Sequence, residues 1–168
     1  MNLQSVDGRA GNVFCVDEHD PEGVVREAIA TVLARLPKGE SVSFADGTFV
    51  RFYVTPSSGV ALGFGLGWGE CAPKYVVVLN TGAVADDFEA LAFDVPDDDT
   101  MRRFRVLYWT GVVAHETGHV AQKERNPLDD GSESSADWWA FERGFGNEVE
   151  TVRRFHLGEL LPEEVAAI

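Results

Sequence analysis

Val112-Val113-Ala114-His115-Glu116-Thr117-Gly118-His119-Val120-Ala121-Gln122 is the stretch on which the reading of this 168-residue chain turns. Two histidines four apart in a helix are separated by about 6 Å of rise and lie nearly above one another, so both imidazoles can converge on one ion such as zinc. Glu116 follows the first histidine and sits at the edge of that ion, where it can hold a water and take its proton, the general-base role in metal-assisted amide hydrolysis. The bland alternative is two ordinary histidines on a helix. Against it, two of the four histidines in the chain fall inside this one motif. Val112, Val113, Ala114, Val120 and Ala121 also make the helix apolar, which would bury these polar groups uncompensated.

A catalytic zinc takes a third protein ligand and keeps one position open. The supplier is sought in Glu133-Ser134-Ser135-Ala136-Asp137-Trp138-Trp139-Ala140, just downstream. After a turn over residues 127–131, a second helix can return antiparallel with Glu133 in its opening turn. Glu133 and Asp137 then share a face. Glu133 is read as the third ligand, with Glu142, Asp129, Asp130 and His156 as alternatives. Asp137 is read as the acceptor for the far ring nitrogen of His115 or His119, fixing its tautomer. Trp138, Trp139, Phe141 and Phe145 read as core, because an aromatic stripe on a helix usually packs. For the developing oxyanion a further donor is needed; His156 is the candidate, with Tyr53 and Tyr75 behind it.

His115-Glu116-Thr117-Gly118-His119 with the downstream Glu133-x-x-Ala136-Asp137 resembles the gluzincin class of zinc metallopeptidases. The pairing is similar to that of the CAAX-type and heat-shock membrane peptidases and of bacterial neutral zinc metallopeptidases. The resemblance implies His115, His119 and Glu133 as zinc ligands, Glu116 as base and Asp137 as the residue bracing a histidine. It also implies a zincin-like scaffold, with the strand at 60–68 as an edge strand over the cleft.

Outward from the motif, its helix is expected over about 100–124, with Asp97-Asp98-Asp99 complementing the positive N-terminal end. Pro21, then Val24, Val25, Ile29, Val32, Leu33 and Leu36 at helical spacing, place a helix over 21–36, ended by Pro37 and Gly39. Residues 41–54 alternate around Asp46-Gly47 and read as a hairpin of 41–45 with 48–54. Val60, Leu62, Phe64, Leu66 and Trp68 alternate with Ala or Gly, which fits an edge strand whose bare backbone pairs with an extended substrate and equally a strand packed closely on its glycine face or a mobile loop. Residues 74–80 are almost continuously apolar, as in a strand covered on both faces, and 85–92 read as a short helix. Residues 1–20 read as an irregular arm with a short strand near 12–16, and His19 as solvent exposed.

Length and composition, 45% hydrophobic and 25% charged, fit one globular domain over residues 1–168. The expected fold class is α+β and zincin-like: a small mixed or antiparallel sheet of about four strands, packed on an N-terminal helix, an active-site helix and a glutamate helix. A formal charge of −14 argues against nucleic-acid or anionic-membrane partners. No charged start followed by an apolar run and no membrane-length apolar window is found, and the two cysteines, Cys15 and Cys71, read as free thiols in a cytoplasmic protein. The functional expectation is a small soluble zinc-dependent peptidase acting on a peptide or protein substrate. The alternative is a non-catalytic, zinc-stabilised binding or regulatory protein whose acidic surface recognises a basic protein partner.

Overall fold

A computed structural model describes the backbone at residues 4–6, 10–15, 20, 22–45, 49–56, 62–66, 73–95, 97–126, 128 and 131–168, and side chains at 20, 22–41, 43–44, 49–56, 73–95, 97–126, 128 and 131–168. His19, Cys71, Asp129 and Asp130 lie outside these residues, as does the Asp46-Gly47 turn; of Cys15 only the backbone is described. The chain divides into two compact units, Met1–Phe88 and Glu89–Ile168.

The first unit contains β1 (Gln4–Val6), β2 (Ala10–Cys15), α1 (Val24–Arg35), α2 (Lys38–Ala45), β3 (Val50–Thr55), β4 (Leu62–Leu66) and β5 (Tyr75–Asn80). Apolar residues two apart give β3 and β5 a common buried face, Val50, Phe52 and Val54 beside Tyr75, Val77 and Leu79, and these residues pair in parallel register. Backbone pairing extends this pair to the order β1-β2-β3-β5-β4, parallel between β2 and β3 and antiparallel at both margins. α1 opens on Asp20, which is buried and whose two carboxylate oxygens accept the amides of Val25 and Arg26, each at 3.1 Å. Val25, Ala28, Ile29 and Val32 are its buried stripe.

The expected α+β sheet needs correction. Helix predominates among the described residues, and the sheet is centred on the parallel pair β3 and β5, the strands whose side chains are described, not on a mixed or antiparallel set of about four strands carrying the fold. The hairpin over 41–54 is absent because its first arm is helical. Pro37 ends α1 and starts α2, its carbonyl accepting the amides of Glu40 and Ser41 at 2.9 Å. The hydroxyls of Ser41 and Ser43 fold back onto the carbonyls of Lys38 and Gly39, as serine does inside helices. Phe44 is buried edge-on against Phe49, with ring centroids 5.7 Å apart. Four alternating residues were too few to separate period two from period 3.6. Residues 74–80 also differ from expectation, since the second face of β5 is only half-buried. The segment read as an irregular arm with a short strand near 12–16 supplies β1 as well as β2, and β4 stands at a sheet margin.

A 3-10 turn at Thr81–Val84 leads into α3 (Ala85–Ala92), which spans the boundary between the units. The second unit is otherwise helical: α4 (Asp98–Arg125), α5 (Glu133–Glu142), α6 (Gly146–His156) and α7 (Pro162–Ala166). Asp97 caps α4, accepting the Thr100 amide and hydroxyl at 2.7 Å each. Those bonds hold its carboxyl below the ordinary range. Phe104, Tyr108, Trp109, Val112, Val113 and Val120 are buried along α4, each contributing on the order of 1.5–3 kcal/mol by leaving water. Among the described residues, no helix is long and apolar enough to cross a membrane.

Two glycines on α4 let the neighbouring helices in. A Cβ on Gly111 would meet the Glu148 carbonyl group, with its carbon at 2.6 Å, and Val152 Cγ2 at 2.8 Å on α6. A Cβ on Gly118 would meet the Ala136 carbonyl oxygen at 2.7 Å and its Cα at 3.0 Å on α5. Trp139 and Phe145 are core, as read from sequence, but Trp138 is 65% exposed and Phe141 43%, because they lie on the side of α5 turned from Ala136 and Ala140.

Overpacking sets the expected outcome of substitution here. Gly111→Ala and Gly118→Ala should each destabilise by about 1–3 kcal/mol in urea unfolding. Gly39→Ala, with nothing within 4 Å of its Cβ, should stabilise by up to about 1 kcal/mol. A neutral Gly118→Ala would contradict the close approach of α4 and α5.

Candidate metal centre

α4 presents His115 and His119 on one face, with Nε2 atoms 3.0 Å apart and rings at 85°. α5 begins at Glu133, where a carboxylate suits the positive end of the helix. The Gly118–Ala136 contact brings that first turn over the histidines. Glu133 Oε2 lies 2.9 Å from His115 Nε2, and its Oε1 lies 3.6 Å from His119 Nε2. Gly131, at φ +70°, turns the chain into α5 close enough that a Cβ there would lie 3.9 Å from His119 Nδ1.

Asp137, one turn along α5, reaches the other side of His115, Nδ1 to Oδ1 at 2.7 Å. A carboxylate only accepts, so His115 Nδ1–H is the donor, and in the neutral ring Nε2 turns a lone pair toward Glu133 and His119. One proton on that nitrogen could serve Glu133 or His119 but not both. A cation at the centre would satisfy all three groups. The separations, 2.9 Å from Glu133 Oε2 to His115 Nε2, 3.0 Å between the two Nε2 atoms and 3.6 Å from Glu133 Oε1 to His119 Nε2, are close to the edge of about 3.3 Å of a tetrahedral site with bonds near 2.0–2.1 Å. The donor set therefore fits a metal. The group His115, Glu116 and His119, with one ligand atom from each lying within 4.8 Å of the others, could hold a metal ion.

Burial tunes the groups around this point. Glu116 has 4% of its side chain exposed, with Oε1 3.8 Å from His115 Nε2. Desolvation pushes its carboxyl up from 4.5 to about 7; the neighbouring His115 opposes the rise and Glu133 adds to it. His119 is pushed below its ordinary value, first by burial and then by His115, with Glu133 pulling the other way. Glu133 is the open side of the cluster, its side chain 82% exposed.

His156 stands elsewhere. Its Nε2 is 3.0 Å from the hydroxyl of buried Tyr108, seven residues and roughly 10 Å of rise before His115 on α4. Glu142, a sequence alternative for the third ligand, is exposed at the far end of α5. Tyr53 and Tyr75 belong to β3 and β5 of the other unit. Arg153 on α6 went unnoticed in the sequence: its guanidinium lies 3.0 Å from Asp137 Oδ2. Only the apolar spacing of Val149, Val152 and Phe155 hints at the helix that carries it, and no local pattern ties position 153 to position 137. Set against protein-family models, curated proteins and solved structures, the chain finds no match.

The Glu116 shift predicts how the metal-free protein responds to pH. The folded carboxyl keeps its proton up to about 7 while the unfolded one releases it near 4.5. Stability is therefore fully present below 4.5 and falls as pH rises through 7. The loss should be roughly 3 kcal/mol. Glu116→Gln should remove that slope, measured as urea midpoints of chelator-treated protein at about pH 5 and about pH 8. An unchanged slope in the variant would assign the pH dependence to another group.

Proposed function

We propose that this chain is a small zinc-dependent peptidase of the gluzincin kind, with His115, His119 and Glu133 holding the metal and Glu116 acting as general base. The reading is carried by the convergence of the two Nε2 atoms and the Glu133 carboxylate at 2.9–3.6 Å, with Asp137 fixing the His115 tautomer. Zinc bound by these residues would polarise the scissile carbonyl and make a water more acidic.

The remaining steps belong to the protein. Asp137 accepts from His115 Nδ1 and so keeps the Nε2 lone pair turned inward. Glu116, raised to about 7, is divided between acid and base near neutral pH, which suits a group that must do both jobs. It takes a proton from the attacking water as the carbon–oxygen bond forms, and returns it to the amine nitrogen as the carbon–nitrogen bond breaks. The exposed Glu133 side leaves room for a peptide or protein substrate to approach. His156, hydrogen-bonded to Tyr108 well up the helix, is given no part in these steps.

The test is a peptide-library digest by zinc-loaded protein, with and without chelator. Glu116→Gln should lower the cleavage rate by about 10²–10⁴-fold while still binding zinc stoichiometrically. His115→Ala and Glu133→Ala should lose both metal and cleavage. Cleavage that persists in Glu116→Gln, or that survives removal of the metal, would refute the peptidase reading.

A further inference from the structure

The hydrogen-bond chain at the metal centre does not end at Asp137. The Oδ1 atom of Asp137 accepts from His115 at 2.7 Å, and its Oδ2 accepts from the Arg153 guanidinium at 3.0 Å. Both carboxylate oxygens are thereby committed, one to α4 and one to α6, which fixes the carboxylate plane as well as its position. Arg153 is itself steadied from its own helix, its other terminal nitrogen 3.5 Å from Glu150 Oε2, and it lies in the last turn of α6, where a cation meets the negative helix end. α6 is in turn seated against α4 at Gly111, so the guanidinium is presented to Asp137 from a rigid support.

We infer that Arg153 is a positioning residue of the metal centre, acting on metal affinity through the Asp137 carboxylate that aims the His115 ring. The inference rests on the metal-binding reading of the site and does not require peptidase activity. An exposed ion pair adds little to stability, and Arg153 is 55% exposed. Its contribution is directional: without it, Asp137 Oδ2 turns to water and the carboxylate gains torsional freedom about His115 Nδ1. Residues hydrogen-bonded directly to a metal ligand, as Asp137 is to His115, typically change affinity by about 10–100-fold when removed, and Arg153 acts one hydrogen bond further out. With Arg153 half in solvent, about 10-fold is expected.

The experiment measures zinc affinity of the full chain by chelator competition, with zinc alone and no substrate, for wild type, Arg153→Met, Arg153→Lys, Asp137→Asn and the Arg153→Met/Asp137→Asn pair. Thermal midpoints of the metal-free proteins are read in parallel. Arg153→Met should weaken zinc about 10-fold with little change in the metal-free midpoint, and Arg153→Lys should recover part of the loss. In the Asp137→Asn background, Arg153→Met should have no further effect, since its route to the metal is already cut. A role in holding α6 alone would give additive losses and a lowered metal-free midpoint, and would overturn the inference. Wild-type affinity in Arg153→Met would overturn it while leaving the metal site standing. Absence of zinc binding by the wild type would overturn both.

Discussion

Electron-rich atoms gathered at one point repel one another unless a proton or a metal ion lies between them. In this protein, His115 Nε2, His119 Nε2 and the Glu133 carboxylate stand 2.9–3.6 Å apart, and the proton that could relieve part of their repulsion is claimed on the far side of His115 by Asp137. The helical unit is built so that this crowding occurs. α4 supplies the two rings one turn apart and α5 delivers its first carboxylate over them. A metal ion held there would turn three mutually repulsive neighbours into one coordinated set.

Such convergence asks for helices closer together than ordinary side chains permit. Interaxial spacing between helices is commonly 8–10 Å and is set by the side chains at the contact. Gly118 presents no Cβ to the Ala136 backbone at the level of the histidines, and Gly111 does the same for α6 near Glu148. Alanine between Glu133 and Asp137 thus has a structural reason. A larger residue at 136, which is fully buried, would crowd this contact and shift the first turn of α5, carrying Glu133 and Asp137 away from the histidines together.

The same burial that shapes the cluster also prepares its chemistry. Glu116 is buried, so its charge is poorly solvated, while the neighbouring carboxylate of Glu133 is open to water. Two carboxylates within one cluster thereby meet different surroundings, which under the proposed function would suit one to moving a proton and the other to holding a cation. The difference comes from surroundings and not from residue type.

The His115–His119 spacing could be read from the chain because an α-helix ties positions i and i+4 together wherever it forms, and an apolar run with acidic residues before it marks where this helix begins. For the same reason Glu133 and Asp137 could be placed on one face of the helix that follows. Residues 41–45 were misread because four alternating residues fit strand and helix alike, and the choice was made by Pro37 and by the packing of Phe44 on Phe49. Which downstream acid meets the histidines, that Arg153 joins Asp137, that His156 pairs with Tyr108, and that Trp138 faces water while Trp139 does not were decided by tertiary structure. These depend on how one helix surface seats on another, and such contacts between residues distant along the chain leave no period in the sequence to read.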